Sequence, residues 1–185
     1  MEGSAVTPLF IATERFDPSD GDKWDSYIGW AKIPNLAEVV SLDGMLCQSI
    51  LDDLQDEDWK HNVHENYRLG YFYHLDYLMG RVAGVARKNI LGLYRNPGSH
   101  IDVPPAPAPF VFVGYDLIEE QTQISALTNC GGFPETFCND ELNQYGLVTS
   151  FTRALEIQRL LPECNPEEHH ARCEMYAIWR LEGSD

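Results

Sequence analysis

Apolar and polar residues alternate along several parts of the chain in patterns that predict strands. The clearest case runs from Cys173 to Leu181, where every second residue is apolar and the residues between them form a mostly polar face. This period of two is typical of a strand with one buried face. Asn89 to Tyr94 also predicts a strand, because β-branched and apolar residues precede the turn residues of Asn96 to Gly98.

Two further pairs of segments favour strands. Phe110 to Glu120 and Gln123 to Thr128 are rich in residues that prefer strands, and the polar residues 120–122 between them suit a turn, so we expect an antiparallel hairpin. Tyr27 to Ile33 and Glu38 to Leu42 are the other two candidate strands, separated by a Pro-Asn pair that is typical of a turn.

A period near 3.6 predicts two helices. Between Tyr71 and Val82 the apolar residues recur at the spacing of one helix face, and Gly84 is placed to end this helix. Gly146 to Leu161 shows the same spacing, and Pro162 follows immediately as a stop signal. Residues 165–168 (Asn-Pro-Glu-Glu) have the pattern of a short helical turn.

The remaining segments suggest how these elements are connected. Glu14 to Asp25 is acidic and rich in turn residues, which predicts a loop. Val103 to Pro109 contains four prolines in seven residues, which favours a stiff extended segment. Because the part after it is small for an independent domain, we interpret this segment as an internal crossover. We therefore expect one α+β domain over residues 1–185, mainly an antiparallel sheet with helices packed on it.

The net charge of the chain indicates which kinds of partner the protein can bind. The 185 residues include 29 Asp and Glu but 13 Lys and Arg, a formal net charge of −16. Such a field repels nucleic-acid phosphates and anionic membranes and speeds encounters with basic proteins. The apolar share of 44% is ordinary for a folded protein. We therefore expect a basic protein partner, no nucleic acid and no membrane.

The cysteines and the first residues predict a cytoplasmic location. Five cysteines at irregular spacing do not form the even framework of a small secreted protein, so reduced thiols are expected. The first residues lack the pattern of a signal peptide, and no apolar run approaches the roughly 18 residues of a membrane span.

The most densely charged segment, residues 52–58, contains five carboxylates in seven residues and is followed by a tryptophan. An aromatic anchor beside acids that pair with a partner's Lys or Arg is a common composition of binding hot spots. The alternatives are a solvated surface and a metal-binding segment. With three acids of the predicted hairpin, the predicted partner-binding residues are Asp52, Asp53, Asp56, Glu57, Asp58, Trp59, Asp116, Glu119 and Glu120.

Metal sites are not predicted. The turn from Asp17 to Asp22 resembles a calcium loop only superficially, since Ile28 stands where a bidentate Glu is required. A second group, His61, His64, Glu65 and His74, lacks the His-Glu-x-x-His order. A third group, Cys164, His169, His170 and Cys173, lacks the paired short spacings of a zinc finger. We expect no metal and no cofactor.

Catalytic chemistry has little support in the sequence. Cys130 precedes two glycines, but a thiolate mechanism would need His169 or His170 as a base, brought close by the fold. Signatures for nucleotide binding, α/β-hydrolases and kinases are absent. The alternative of a small hydrolase or other enzyme with an unrecognised site draws on His61, His64, His74, Cys130, His169 and His170.

These observations favour a noncatalytic, acidic protein-binding protein. In its most specific form it is a bacterial immunity protein or antitoxin that covers a basic surface of a toxin. In size and charge it resembles the acidic inhibitors that neutralise nucleases, a resemblance of physical profile that covers no motif. A regulatory or scaffold subunit is a further alternative.

Overall fold

The protein is an α+β domain built on an antiparallel sheet, as the sequence predicts. The computed structural model describes residues 7–51, 70–119, 121–130, 133–167 and 171–183. The elements in chain order are β1 (Leu9–Glu14), α1 (Asp22–Ala31), α2 (Leu75–Arg81), β2 (Lys88–Arg95), β3 (Phe110–Glu119), α3 (Phe151–Cys164) and β4 (Cys173–Leu181). Two 3-10 turns, Pro18–Asp20 and Asn139–Glu141, precede α1 and α3.

The four strands lie in the order β1-β2-β4-β3, and each neighbouring pair is antiparallel. β4 has the predicted bounds, and β2 is one residue longer at each end than predicted. β3 ends at Glu119, while Glu120 lies outside the described residues. Between Phe112 and Gly114 the register of β3 against β4 shifts by a bulge. Because β4 lies between two strands, its ladder is hydrogen-bonded on both sides.

Both faces of the sheet are buried, but by different kinds of structure. The three described helices place buried side chains in one core cluster, with Tyr27 from α1, Leu78 from α2 and Ile157 from α3. The opposite face carries a second cluster that includes Leu42 and Leu147 from irregular segments. The prediction that this face of β4 is mostly polar and exposed is therefore mostly wrong. Segments without regular structure cover it and exclude water from it.

The outer edges of the sheet are also occupied. Along β1, the Phe10 N–H donates to the Phe72 carbonyl at 2.8 Å, and Thr13 bridges to Ser49. Along β3, Tyr115 bridges to Val148 and Ile118 bridges to Ser125. Backbone groups of both edge strands are thus paired with single residues from loops.

The predicted strand from Tyr27 to Ile33 is wrong, because most of it lies in α1. Trp24, Tyr27 and Ala31 are buried on one face of this helix, at a spacing that a strand could not bury together. Lys32, in the left-handed region at φ 52°, ends α1. The predicted loop from Glu14 to Asp25 contains the 3-10 turn Pro18–Asp20 and the first turn of α1.

Two other predicted strands are loops held by single bridges. In the segment from Glu38 to Leu42, one residue, Val39, bridges to Phe16. In the segment from Gln123 to Thr128, Ser125 forms an isolated bridge to Ile118. The chain turns after Ser125, because the Ser125 hydroxyl accepts hydrogen bonds from the Leu127 and Thr128 N–H groups. This local side-chain bond competes with strand pairing. The predicted hairpin therefore has one arm that is a strand.

The two predicted helices begin later than their periodicity suggests. The segment before α2 is extended and pairs with β1 through Phe72. α3 begins at Phe151, where the Ser150 hydroxyl accepts the Arg153 N–H as an N-cap. Pro162 lies inside α3 and does not stop it. Asn165, the first residue of the predicted helical turn, caps the end of α3, and residue 168, the last residue of that turn, lies outside the described residues.

The proline-rich segment packs against the centre of the sheet. A Cβ atom added to Gly92 of β2 would lie 2.2 Å from Cγ of Pro105, so this close approach requires glycine at position 92. The Tyr94 hydroxyl donates to the Pro104 carbonyl at 3.4 Å. These contacts fix part of the crossover to β2.

Candidate functional site

Most of the predicted partner-binding residues lie outside the described residues. Residues 52–69 include the acidic cluster and Trp59, and residue 120 is the last acid of the predicted hairpin. Their role in partner binding stays a prediction. The two remaining acids, Asp116 and Glu119, are described.

Asp116 lies in the interior and not on a binding surface. Its side chain is fully buried and accepts four hydrogen bonds, two from hydroxyls and two from backbone N–H groups. The donors are the Ser41 hydroxyl at 2.5 Å, the Ser125 hydroxyl at 2.6 Å, Leu117 N–H at 2.9 Å and Leu42 N–H at 3.2 Å. Burial raises the pKa of Asp116, while the hydrogen bonds from Ser125 and Ser41 act in the opposite direction.

Asp43 is a second buried carboxylate in the same network, and the sequence analysis missed it. It also accepts four hydrogen bonds, from Met45 N–H, Leu46 N–H, Ser125 N–H and the Asn129 amide at 2.8–3.0 Å. Ser125 joins the two acids, since its N–H donates to Asp43 and its hydroxyl donates to Asp116. The pair fixes two loops onto β3.

Glu119 is also turned inward. It is 4% exposed, and its Oε2 atom accepts hydrogen bonds from Gln121 N–H at 2.9 Å and from the Thr122 hydroxyl at 2.7 Å. These bonds close the turn after β3. Because both side chains are buried and their carboxylates accept hydrogen bonds from within the chain, the prediction that Asp116 and Glu119 contact a partner is corrected.

An Asp-His-Tyr arrangement stands out as candidate chemistry. His100 Nδ1 lies 2.6 Å from the Tyr115 hydroxyl, and His100 Nε2 lies 2.8 Å from Asp102. Such a chain of three groups is one requirement for activating a nucleophile. However, Tyr115 is 0% exposed, and burial followed by the Asp102 charge raises its pKa to about 12. The Tyr115 hydroxyl is therefore neutral and out of reach of a substrate. Its contact with His100 anchors the 99–102 loop to β3.

The described members of the alternative enzyme site do not form a reactive group of this kind. The Cys130 thiol donates to the Ser125 carbonyl at 3.0 Å. His74 precedes α2 and is exposed. The other four members, His61, His64, His169 and His170, lie outside the described residues. Within the described ranges, no group of three or more His, Cys, Asp or Glu side chains could hold a metal ion.

Much of the positive charge is neutralised by neighbouring carboxylates. Glu38 is buried and binds both Arg15 and Arg180 at 3.0 Å. Among the described residues, ion pairs involve six arginines, namely Arg15, Arg87, Arg95, Arg153, Arg159 and Arg180. The turn that resembles a calcium loop is one of these sites, since Arg87 binds Asp17 and Asp20.

One exposed aromatic side chain lies on α1. Trp30 is 48% exposed, and its ring lies 6.0 Å from that of Tyr27. Tyr27 packs in turn against Phe16 at 5.2 Å and donates its hydroxyl to the Thr128 carbonyl at 2.8 Å. A ring supported in this way loses little freedom on binding a partner.

The helix that carries Trp30 also carries exposed carboxylates, and another lies near its end. Asp22 and Asp25 are exposed on α1 itself. The Asn139 amide donates to the Ala31 carbonyl at 2.8 Å, which brings exposed Asp140 close to the end of α1. Lys23 and Lys32 are exposed on the same helix. We call Trp30 with Asp22, Asp25 and Asp140 the α1 surface. It combines an aromatic anchor with acids, the composition predicted for the cluster at 52–59.

Comparisons with known proteins do not assign this surface. No protein-family model, no curated protein and no solved structure matches the chain. Among the described helices, none has the length and apolar character needed to cross a membrane.

Proposed function

We propose that this chain is a noncatalytic, acidic protein-binding protein that covers a basic surface of another protein. In its specific form the partner is a toxin and the chain is a bacterial immunity protein. Binding would block the toxin by occlusion, and the excess negative charge would speed the encounter. The described part of the interface is the α1 surface.

The observation that carries the proposal is the exposure of Trp30 beside surface acids. A large aromatic ring that is half exposed and supported from below gains buried area on binding without a new ordering cost. Exposed carboxylates on the same helix favour a partner with Lys or Arg at the matching positions. The net charge of −16 supports this, because it makes the field outside the protein negative.

A growth assay tests the proposal. The reading frames beside the gene are expressed in a bacterial host, and any that stops growth is expressed again together with this chain. We expect the chain to restore growth and Trp30→Ala to restore it less. Leu155→Ala is the matched control, because Leu155 is 47% exposed but lies on α3.

Binding kinetics distinguish the contribution of long-range charge from that of the direct contact made by Trp30. In biolayer interferometry with the purified toxin, Trp30→Ala should raise the dissociation rate about thirtyfold, which corresponds to the loss of about 2 kcal/mol that defines a hot-spot residue. Added salt should mainly lower the association rate. If no neighbouring product is toxic or bound, the immunity assignment is wrong. If the bound product is a basic protein without toxicity, the chain is a regulatory subunit.

A further inference from the structure

An apolar groove separates α2 from the proline-rich segment. Its volume is about 480 Å³, in the range of sites that hold small molecules or side chains. The groove is lined by Pro8, Phe10, Tyr73, His74, Leu75, Asp76, Pro105, Ala106, Pro107 and Ala108. It is distinct from the α1 surface, which shares none of these residues.

The walls of the groove are fixed by the sheet. Pro105 packs on Gly92, as described above. Phe10 is buried, its N–H donates to the Phe72 carbonyl at 2.8 Å, and its ring lies 6.1 Å from that of Phe110. Because the prolines add few internal degrees of freedom, a side chain can enter without a large ordering cost.

The chemistry of the groove favours a cationic side chain with an apolar stem. Most of the lining is apolar, and Asp76 is the lining residue with a formal charge at neutral pH. The methylene stem of Arg packs along apolar surface while its guanidinium pairs with a carboxylate. A second copy of the chain is a poor occupant, since each copy carries a net charge of −16.

We propose that this groove receives an arginine side chain of the basic partner, with its stem between Leu75 and Ala106 and its guanidinium on Asp76. The inference rests on the proposed function for the identity of the partner, but the groove can be tested without that partner.

The probe is butylguanidinium chloride, which reproduces an arginine side chain, and butylurea is its neutral counterpart. Each is titrated into the full chain with ¹³C-labelled alanine and leucine methyl groups at low salt. We expect saturable shifts of the Ala106, Ala108 and Leu75 methyl signals with butylguanidinium. Asp76→Asn should weaken this binding about threefold, as for a partly exposed ion pair, and butylurea should bind more weakly.

Two variants keep the result specific. Glu135→Gln changes the net charge equally at an exposed site outside both the groove and the α1 surface and should leave the affinity unchanged. Ala106→Leu should abolish the shifts by filling the groove. Absence of saturable shifts, equal binding of butylurea, or an equal loss in Glu135→Gln would overturn the inference. The proposed function fails separately, when Trp30→Ala leaves toxin binding unchanged.

Discussion

Two sets of aspartates in this chain differ in what surrounds them. Asp43 and Asp116 are 0% exposed, and each accepts four hydrogen bonds. Asp22 and Asp25 of the α1 surface are exposed on one helix with Trp30. The interior pair is held by serine hydroxyls and by N–H groups of turns, whereas the surface pair faces water.

The difference shows that net charge alone does not identify a binding surface. A carboxylate can be buried where several donors converge, because each donor offsets part of the cost of removing the charge from water. Where such donors do not converge, the carboxylate stays at the surface and contributes to the outward field. Substitutions in the two sets should therefore affect different measurements.

The largest effect is expected for the interior pair. Asp116→Ala leaves four donors without their acceptor, so we expect the free energy of unfolding to fall by about 3–5 kcal/mol. Urea unfolding followed by tryptophan fluorescence measures it. Asp25→Ala is the control and should cost about 1 kcal/mol or less, because Asp25 is exposed in the first turn of α1. A small loss for Asp116→Ala would show that water replaces the carboxylate and that the network does not stabilise the fold.

The link between the two buried acids gives the next effect. Ser125→Ala removes the hydroxyl that donates to Asp116 and accepts the Leu127 and Thr128 N–H groups. We expect a loss of about 1–3 kcal/mol in the same urea experiment. Ser26→Ala on the exposed side of α1 is the matched control. Equal losses in the two serine variants would contradict the contrast between interior and surface.

The pH dependence of stability gives a smaller effect. Burial raises the pKa of Asp116 above its ordinary value of 3.8, so the folded state holds this proton more tightly than the unfolded state. The contribution of Asp116 to stability is therefore complete below pH 3.8 and falls as pH rises through the folded-state pKa. The free energy of unfolding of Asp116→Asn minus that of the wild type should rise across this window and be constant above it. A difference that falls with pH would reverse the sign of the shift.

The smallest effect on stability is expected at the surface. Replacing Asp22 and Asp25 together by Asn should lower the free energy of unfolding by about 1 kcal/mol or less, because both acids lie in the first turn of α1. The association rate with the basic partner should fall about threefold at low salt, because steering depends on exposed charge. Stopped-flow or interferometry measures this rate. If the association rate is unchanged while Trp30→Ala still weakens the complex, the α1 surface makes direct contact with the partner but does not steer its association.

The sequence predicts the sheet better than it predicts the elements around it. β4 and β2 agree closely because their periodicity reflects burial between neighbouring strands. The segment from Tyr27 to Ile33 fails because its aromatic residues have high strand propensity, while burial of Trp24, Tyr27 and Ala31 together requires a helix. Tertiary packing overrides propensity here.

The candidate site was harder to predict, for a different physical reason. Asp116 was interpreted as an exposed hairpin acid because a single carboxylate carries no sign of its donors. Those donors come from residues 41–42, 117 and 125, and three of these four positions are distant in sequence or in a turn. The Ser-x-Asp pattern at 41–43 was a possible signal, since short polar side chains at this spacing form local turns. Trp30 was placed in the wrong element, so its exposure could not be anticipated.

The loop residues along the outer strands limit how any partner can bind. Phe72 and Ser49 occupy backbone groups of β1, and Val148 and Ser125 occupy those of β3. An extended peptide that extends a sheet needs a row of free N–H and C=O groups along such an edge. At either edge of this sheet, such a peptide would first have to displace the buried loop residues that already occupy these groups. Recognition by strand addition is therefore disfavoured, and the same barrier opposes edge-to-edge polymerisation of the protein.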